Sequence, residues 1–488
     1  MQLGLKLNRN GTVGLRDQIV TQLAGLILDG HLQPGMRLPS CRKFAKELEV
    51  SINTVIAAYE ILEGQQLILS KSRSGFFVLA EQGVRNRHPA STKSNKSSPL
   101  RDRLNWQRQS DDLATIVRPE NWYDFKYPFV CNQIDEGEFP VSEWRECSRQ
   151  AMNRADLQVW SSDGHYSENA EFIEQIRTRI LPRRGVFVNA DSALVTLGSQ
   201  NGLYMASHLL GGRDRVAVIE DPGYPDARKM LRSSFGDLKF QPVDDEGMIV
   251  DERLKGATMV FVTPNRQFPT TVTMSERRRQ ALIEAAEDHD FFIVEDDYEC
   301  DVDYRHFTPL PLFSVDNSGR VIYLASLSKG LSPGLRLGYM TAAEEFITAA
   351  RDLRGRIMRH PPTVLQLTAA AFIRFGQYES RLRRIQKGHR ERWEIANRFL
   401  RAHFPDFDIK GEFGGTTFVL SDQRKRLRAS EIAGKARERD VIIEEIAPCY
   451  SVWETGEYAF RVGVSAIHPL LIEAGLQELK QTIVELGA

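Results

Sequence analysis

Apolar residues recur at helical spacing through GLRDQIVTQLAGLILDG (residues 14–30), which puts Leu15, Ile19, Leu23 and Leu26/Ile27 on one face and lets Gly30 end the helix. The next stretch, RLPSCRKFAKELEVSINTVIAAYEILEGQQLI, carries two shorter helical patterns. Ser40 is placed to cap the first, whose apolar side is Phe44, Ala45 and Leu48, and Glu49–Val50 makes the turn. Ser51 caps the second, which points Val55, Ile56, Tyr59 and Leu62 inward and Asn53 and Thr54 outward. LILSKSRSGFFVLA then reads as a two-stranded hairpin with Lys71 and Arg73 at its tip. Two short helices joined this tightly form a helix-turn-helix, whose second helix can enter a major groove by its N-terminal end. A basic hairpin tip suits a wing against phosphates. A small helical docking domain is the other arrangement this pattern allows.

The pattern changes after residue 80. Residues 81–110 are dominated by Ser, Asn, Lys and Arg, with hardly any apolar residues for a core, and read as a flexible basic linker. Beyond it, short β-branched segments alternate with helical ones. The strand candidates include SALVTLGS, RVAVIEDPG, ATMVFVTP, FFIVEDDY and RVIYLASLS, and SERRRQALIEAAEDH is a helix between two of them. This alternation predicts an α/β domain built on a mostly parallel sheet. The expected organisation is a DNA-binding domain over 1–80, a linker over 81–115 and a large α/β domain over 116–488.

Charge sharpens this division. The first 110 residues hold sixteen Lys/Arg against eight Asp/Glu, while the whole chain is nearly balanced at a formal charge of −1. A basic head on an acidic body points to a polyanionic partner for the head. The five cysteines form no CxxC pair, and the scattered histidines lack ligand spacing, so neither a disulfide framework nor a metal site is expected. There is no signal-peptide pattern and no apolar run of about 18 residues, so the expected location is cytoplasmic, without a membrane partner.

The candidate chemistry centres on YLASLSKGLSPGLRLGYM (residues 323–340). A lysine among small residues, with serines before it and an arginine after it, suits an aldehyde cofactor with a phosphate. Pyridoxal 5′-phosphate needs an amine for its aldehyde, a carboxylate for its pyridine nitrogen, a donor for its phenolic oxygen, an aromatic face, and a phosphate cradle at a helix start. Lys329 supplies the amine, with Ser326 and Arg336 for the phosphate. Gly198, Ser199 and Gln200 lie where a strand passes into a helix, an anion-binding position. Tyr224 is placed to stack, Asp296 to meet the pyridine nitrogen and Tyr298 to approach the phenolic oxygen. Any one of these has an ordinary structural explanation. The ordered set is what carries the reading.

The head motif RLPSCRKFAKELEVSINTVIAAYEIL…SRSGFFV is similar to the winged-helix domain of the GntR family of bacterial regulators. By that resemblance Ser40, Arg42, Ser51, Asn53 and Thr54 contact DNA, with Arg73 and Gly75 in the wing. Ile52 stands where an arginine is common, and Gln66 where the family favours glycine. The body order, with DGHY, GSQNGL, EDPGYPDAR, VTPNRQFPT, VEDDYECDVDYR, SLSKGLSPGLRLGY and YAFRVGVS, resembles the fold-type I aminotransferases. Its pairing with this head resembles the MocR/GabR regulators. The resemblance implies a large domain with a smaller C-terminal α/β subdomain, and Arg461 as the holder of an effector carboxylate. It also implies a homodimer. Three positions depart from the aminotransferase pattern: Phe268, where an asparagine is frequent, Thr271, where a glycine is usual, and Thr417, where many relatives carry histidine.

The expected function is a transcriptional regulator that binds double-stranded promoter DNA through its head. Its body would sense an amino acid or related amine by forming an external aldimine on pyridoxal 5′-phosphate. An active aminotransferase with an appended DNA-binding domain is the alternative, since the enzymatic parts are all present.

Overall fold

The computed structural model describes residues 3–9, 11, 13–71, 74–79, 115–155, 157–162 and 167–487. Arg73, the DGHY motif and all of the expected linker except Thr115 lie outside the described residues. The chain divides into two compact units, Met1–Leu104 and Asn105–Ala488.

The first unit holds three helices, α1 (Leu15–Leu28), α2 (Cys41–Leu48) and α3 (Ile52–Gly64), followed by strands β1 (Ile68–Lys71) and β2 (Gly75–Val78). Ser40 and Ser51 cap α2 and α3 by accepting from the backbone N–H of Lys43 and Thr54. Between the two helices Glu49 takes the left-handed conformation that ends α2 and turns the chain sharply. The core is the inward stripe of each helix: Ile19 and Leu23 of α1, Phe44 and Leu48 of α2, and Val55, Ala58, Tyr59 and Leu62 of α3. Tyr59 keeps its hydroxyl satisfied by donating to the Pro39 carbonyl at 3.0 Å. Ile56 was expected inward but is exposed. Residues 55, 58, 59 and 62 complete the buried face, and 56 falls 100° away from 55 on the helix wheel. The strands pair antiparallel, Ile68 opposite Val78, and close the wing.

The second unit is an α/β body around an eight-stranded sheet. Its strands, in chain order, are β3 (Ala193–Thr196), β4 (Gly212–Asp221), β5 (Phe235–Asp244), β6 (Gly247–Met248), β7 (Met259–Val262), β8 (Phe292–Asp297), β9 (Val321–Ser326) and β10 (Gly338–Thr341). They lie in the order β3-β10-β9-β8-β7-β4-β5-β6. The run β9-β8-β7-β4-β5 is parallel, and β10 is antiparallel to both of its neighbours. Every predicted strand is present, and SERRRQALIEAAEDH forms the helix Glu276–His289. Apart from the half-buried Phe292, the central strands are buried along their whole length, as a sheet covered on both faces requires. A second sheet of four strands, Phe407–Lys410, Thr417–Asp422, Ala459–Gly463 and Glu444–Glu445, has its own core with the helices Gln377–His403 and Pro469–Glu485. This is the smaller C-terminal α/β part that the sequence reading anticipates.

Leu62 is fully buried at the centre of the three-helix core. Leu62→Ala should therefore destabilise the head by about 2–5 kcal/mol. Hydrogen exchange on the full chain should show the loss of protection confined to residues 15–78.

Candidate functional site

In the head, the groups expected at DNA gather around the N-terminal ends of α2 and α3. Arg42, Ser51 and Asn53 are exposed there, as is Ser40. Thr54 is half-buried, its hydroxyl 2.7 Å from that of Ser51. Ile52 is 44% exposed in the same turn, an apolar side chain among polar ones. In the wing, Gly75 has φ +101, a left-handed value that favours glycine, and lies against the exposed Arg37 side chain. Gln66, before the wing, has φ 58, which accounts physically for the glycine favoured at this position.

In the body, one cavity of about 290 Å³ lies at the carboxyl ends of β3, β4, β8 and β9, where open α/β sheets place their ligands. Lys329, Asp296, Tyr298 and Tyr224 line it. So do Ser199, Gln200, Ser326 and Arg336. Gly198 precedes the helix Ser199–Leu210 with φ +82, and a Cβ there would come within 3.0 Å of the Arg336 guanidinium. Arg336 donates to the Leu197 carbonyl at 3.0 Å, so its charge is held at the start of that helix. Free helix N–H groups and a guanidinium converge there, the arrangement that binds a phosphate.

The electrostatics of the cavity are unusual. Asp296 is buried, and its Oδ1 has no hydrogen-bond partner. Burial and the neighbouring Asp297 push its carboxyl up to about 7, against the opposing pull of the Ser199 hydroxyl and the Lys329 ammonium. Lys329 is lowered to about 8, chiefly by desolvation. A buried carboxylate oxygen without a donor fits a protonated ring nitrogen, and a lysine of depressed pKa fits an aldehyde. The residues present therefore suit pyridoxal 5′-phosphate.

Some lining residues escaped the sequence reading. Ser328 is buried beside Ser326, the two hydroxyls 2.7 Å apart, and extends the polar end of the cavity. Asn132 and Gln133 enter from a segment distant in sequence, and Thr263 lines the wall while bonding the buried Glu220. The SLSK spacing held the clue to Ser328, whereas nothing local marks Asn132. Phe268 packs edge-on to Tyr224 at 5.3 Å and to Tyr298 at 6.2 Å, an aromatic wall in place of an amide. Thr271 has φ 68, which explains why glycine is usual there. Arg461 lies over the Phe268 ring at 4.6 Å, but its guanidinium is engaged by Glu444 at 2.6 Å. Thr417 is buried on a strand paired with that of Arg461, opposite Gly463.

Comparison with known proteins agrees with both units. Residues 15–78 match the model for bacterial regulatory proteins of the gntR family, and residues 131–478 match aminotransferase class I and II. The chain is 33% identical to the HTH-type transcriptional regulator TauR of Rhodobacter capsulatus, over 94% of both chains. It is 29% identical to the probable rhizopine catabolism regulatory protein MocR of Rhizobium meliloti, over 83% of this chain and 80% of that one. Among solved structures, Pyrococcus horikoshii kynurenine aminotransferase superposes with a TM-score of 0.68 at 22% identity, covering 83% of this chain and 98% of its own. LysN, the α-aminoadipate aminotransferase of Thermus thermophilus, gives 0.66 at 20% identity over 80% and 95%. The body thus has the fold-type I aminotransferase fold. The chain belongs to the MocR-type family of transcriptional regulators, in which a GntR helix-turn-helix domain is joined to an aminotransferase class I/II domain.

The environment of Lys329 makes a prediction about pH. Only the neutral amine attacks an aldehyde, and a lowered pKa makes that form abundant above pH 8 and scarce below it. Capture of pyridoxal 5′-phosphate by cofactor-free protein, fixed by borohydride and read as mass added to the Lys329 peptide, should rise with pH through about 8. A midpoint near 10.5, that of an ordinary lysine, would contradict the desolvated setting.

Proposed function

We propose that this regulator senses an amino acid or related amine in its body and converts the encounter into a change in DNA binding by its head. The observation that carries the reading is one cavity joining Lys329 and Asp296, with its unpartnered Oδ1, to a helix start guarded by Arg336. When bound, pyridoxal 5′-phosphate supplies an electrophilic carbon to which an amine can add in exchange for Lys329. Tyr224 and Phe268 frame the ring space, Tyr298 lies at its side, and Gly198, Ser199, Gln200 and Ser326 complete the phosphate end.

In this reading the DNA-binding domain spans 1–80, a linker spans 81–115 and the effector-binding domain spans 116–488. Ser40, Arg42, Ser51, Asn53, Thr54, Arg73 and Gly75 form the DNA surface, and the molecule acts as a cytoplasmic homodimer. Among the described residues no helix is long and apolar enough to cross a membrane. An amine alters DNA affinity only if it favours one state of the protein over another, and couplings of this kind are typically about 5- to 150-fold.

The test combines cofactor-loaded wild type with Lys329→Ala and a panel of amines, and follows promoter affinity and visible absorbance together. A responsive amine should change both in the wild type, and Lys329→Ala of unchanged circular dichroism should lack the Schiff-base band before any amine is added. If the variant keeps that band, Lys329 is not the residue that holds the aldehyde. Stoichiometric consumption of amine with a keto acid as co-substrate would assign the body to catalysis instead. In the head, Arg42→Ala should weaken promoter binding and flatten its log-log salt dependence by about 0.9. An unchanged salt slope would remove Arg42 from the phosphate contacts.

A further inference from the structure

The start of α3 carries two isoleucines that the core of the head does not use. The helix buries Val55, Ala58, Tyr59 and Leu62, and leaves Ile52 and Ile56 outside that stripe, 44% and 37% exposed. Four residues apart, they stand one above the other on the helix surface. Asn53 is exposed beside them. A single exposed isoleucine needs no explanation. Two aligned at the start of the helix that a helix-turn-helix presents to DNA call for one.

The hydroxyls nearby are already engaged. Ser51 caps α3 by accepting from the Thr54 N–H at 3.1 Å, and the two hydroxyls lie 2.7 Å apart. What the first two turns offer a base edge is therefore chiefly the Asn53 amide and the apolar ridge. The charge around this end suits a polyanion. Arg42 and Lys43 are exposed in the first turn of α2, and Lys71 is exposed in the wing. Of the acids nearest in sequence, Glu49 is paired with Arg9 at 3.0 Å, and Glu60 lies two turns beyond Ile52. Basic groups grip phosphates and hold a helix in register without reading sequence.

Groove chemistry then decides what the ridge can meet. The major groove shows donors and acceptors on every base pair and one apolar group, the 5-methyl of thymine. An isoleucine set against a purine edge strips water from the acceptors and returns no hydrogen bond. Set against a thymine methyl, it removes apolar surface from water on both sides.

We propose that Ile52 and Ile56 read thymine, each packing on the 5-methyl group of a thymine in the major groove. The pair makes the head select DNA with thymines in the matching register. The inference rests on the reading of α3 as the helix that enters DNA, and it makes both isoleucines specificity-determining residues.

Selection with the full-length protein on a random-sequence duplex library supplies the probe. Each thymine of the enriched duplex is then replaced singly by deoxyuridine, which lacks the 5-methyl and keeps every hydrogen-bonding group. Wild type should lose about fourfold in affinity at no fewer than two positions, the scale of one buried methyl group. Ile52→Ala should become indifferent to the replacement at some of these positions and Ile56→Ala at the others. Both side chains lie outside the core, so their truncation leaves the packing of the head in place. A merely structural role would weaken binding to the thymine and deoxyuridine duplexes alike, and that result would overturn the proposal. So would an enriched site in which no methyl matters to wild type. A protein that enriches no sequence would overturn the DNA reading of the head as well, which separates the two failures.

Discussion

The body is organised around a carboxylate that the protein itself does not satisfy. Strand β8 ends in three consecutive acids, and burying all of them is tolerable only if each finds compensation. Glu295 accepts from the backbone N–H groups of Leu312 and Phe313 at 2.9 and 3.1 Å. Asp297 is paired with Arg184 and also accepts from the Tyr323 hydroxyl, each at 2.9 Å. Between them Asp296 keeps an oxygen with no donor. Alternation along a strand sends neighbouring side chains to opposite faces, so the fold has settled 295 and 297 internally and left 296 to a ligand. A neutral apolar ligand would leave this deficit in place, whereas a cationic ring nitrogen would remove it.

The same accounting separates two arginines of the body. Arg336 spends one bond on the Leu197 carbonyl and stays exposed, so most of its donors remain for a ligand. Arg461 is instead buried and already holds the Glu444 carboxylate. One guanidinium is a strong, open clamp for a highly charged group. The other has its charge already met by Glu444.

Much of this was legible in the sequence because it is local. Period-two and period-3.6 apolar patterns mark the strands and helices, and turns mark where they stop. Lys329 and Tyr224 sit just past recognisable strands and Asp296 at the end of another, so their convergence follows from the parallel run of strands, which end on one side. What could not be read depends on pairing between distant segments. Glu444 and Arg461 are partners only because their strands are antiparallel neighbours in a particular register. Arg118 reaches them from 326 residues away in sequence. Ile56 misled for another reason: an apolar residue at the edge of a helical stripe is equally compatible with the core and with the surface, and packing of Ala58 and Tyr59 decides it.

Sensing and catalysis draw on the same lysine, but they ask different things of the groups around it. A turnover enzyme must bind the reaction's transition state better than its substrate, whereas a sensor needs only a ligand-dependent difference between two states of the protein. The aromatic wall made by Phe268 contributes shape and desolvation to the ring space, and it supplies no hydrogen bond. Lys329, Asp296 and Arg336 line the same cavity and would supply charge complementarity to pyridoxal 5′-phosphate. Tyr224, Phe268 and Asn132 form a wall shared by the Lys329 cavity and the cavity that Arg118 and Arg461 line.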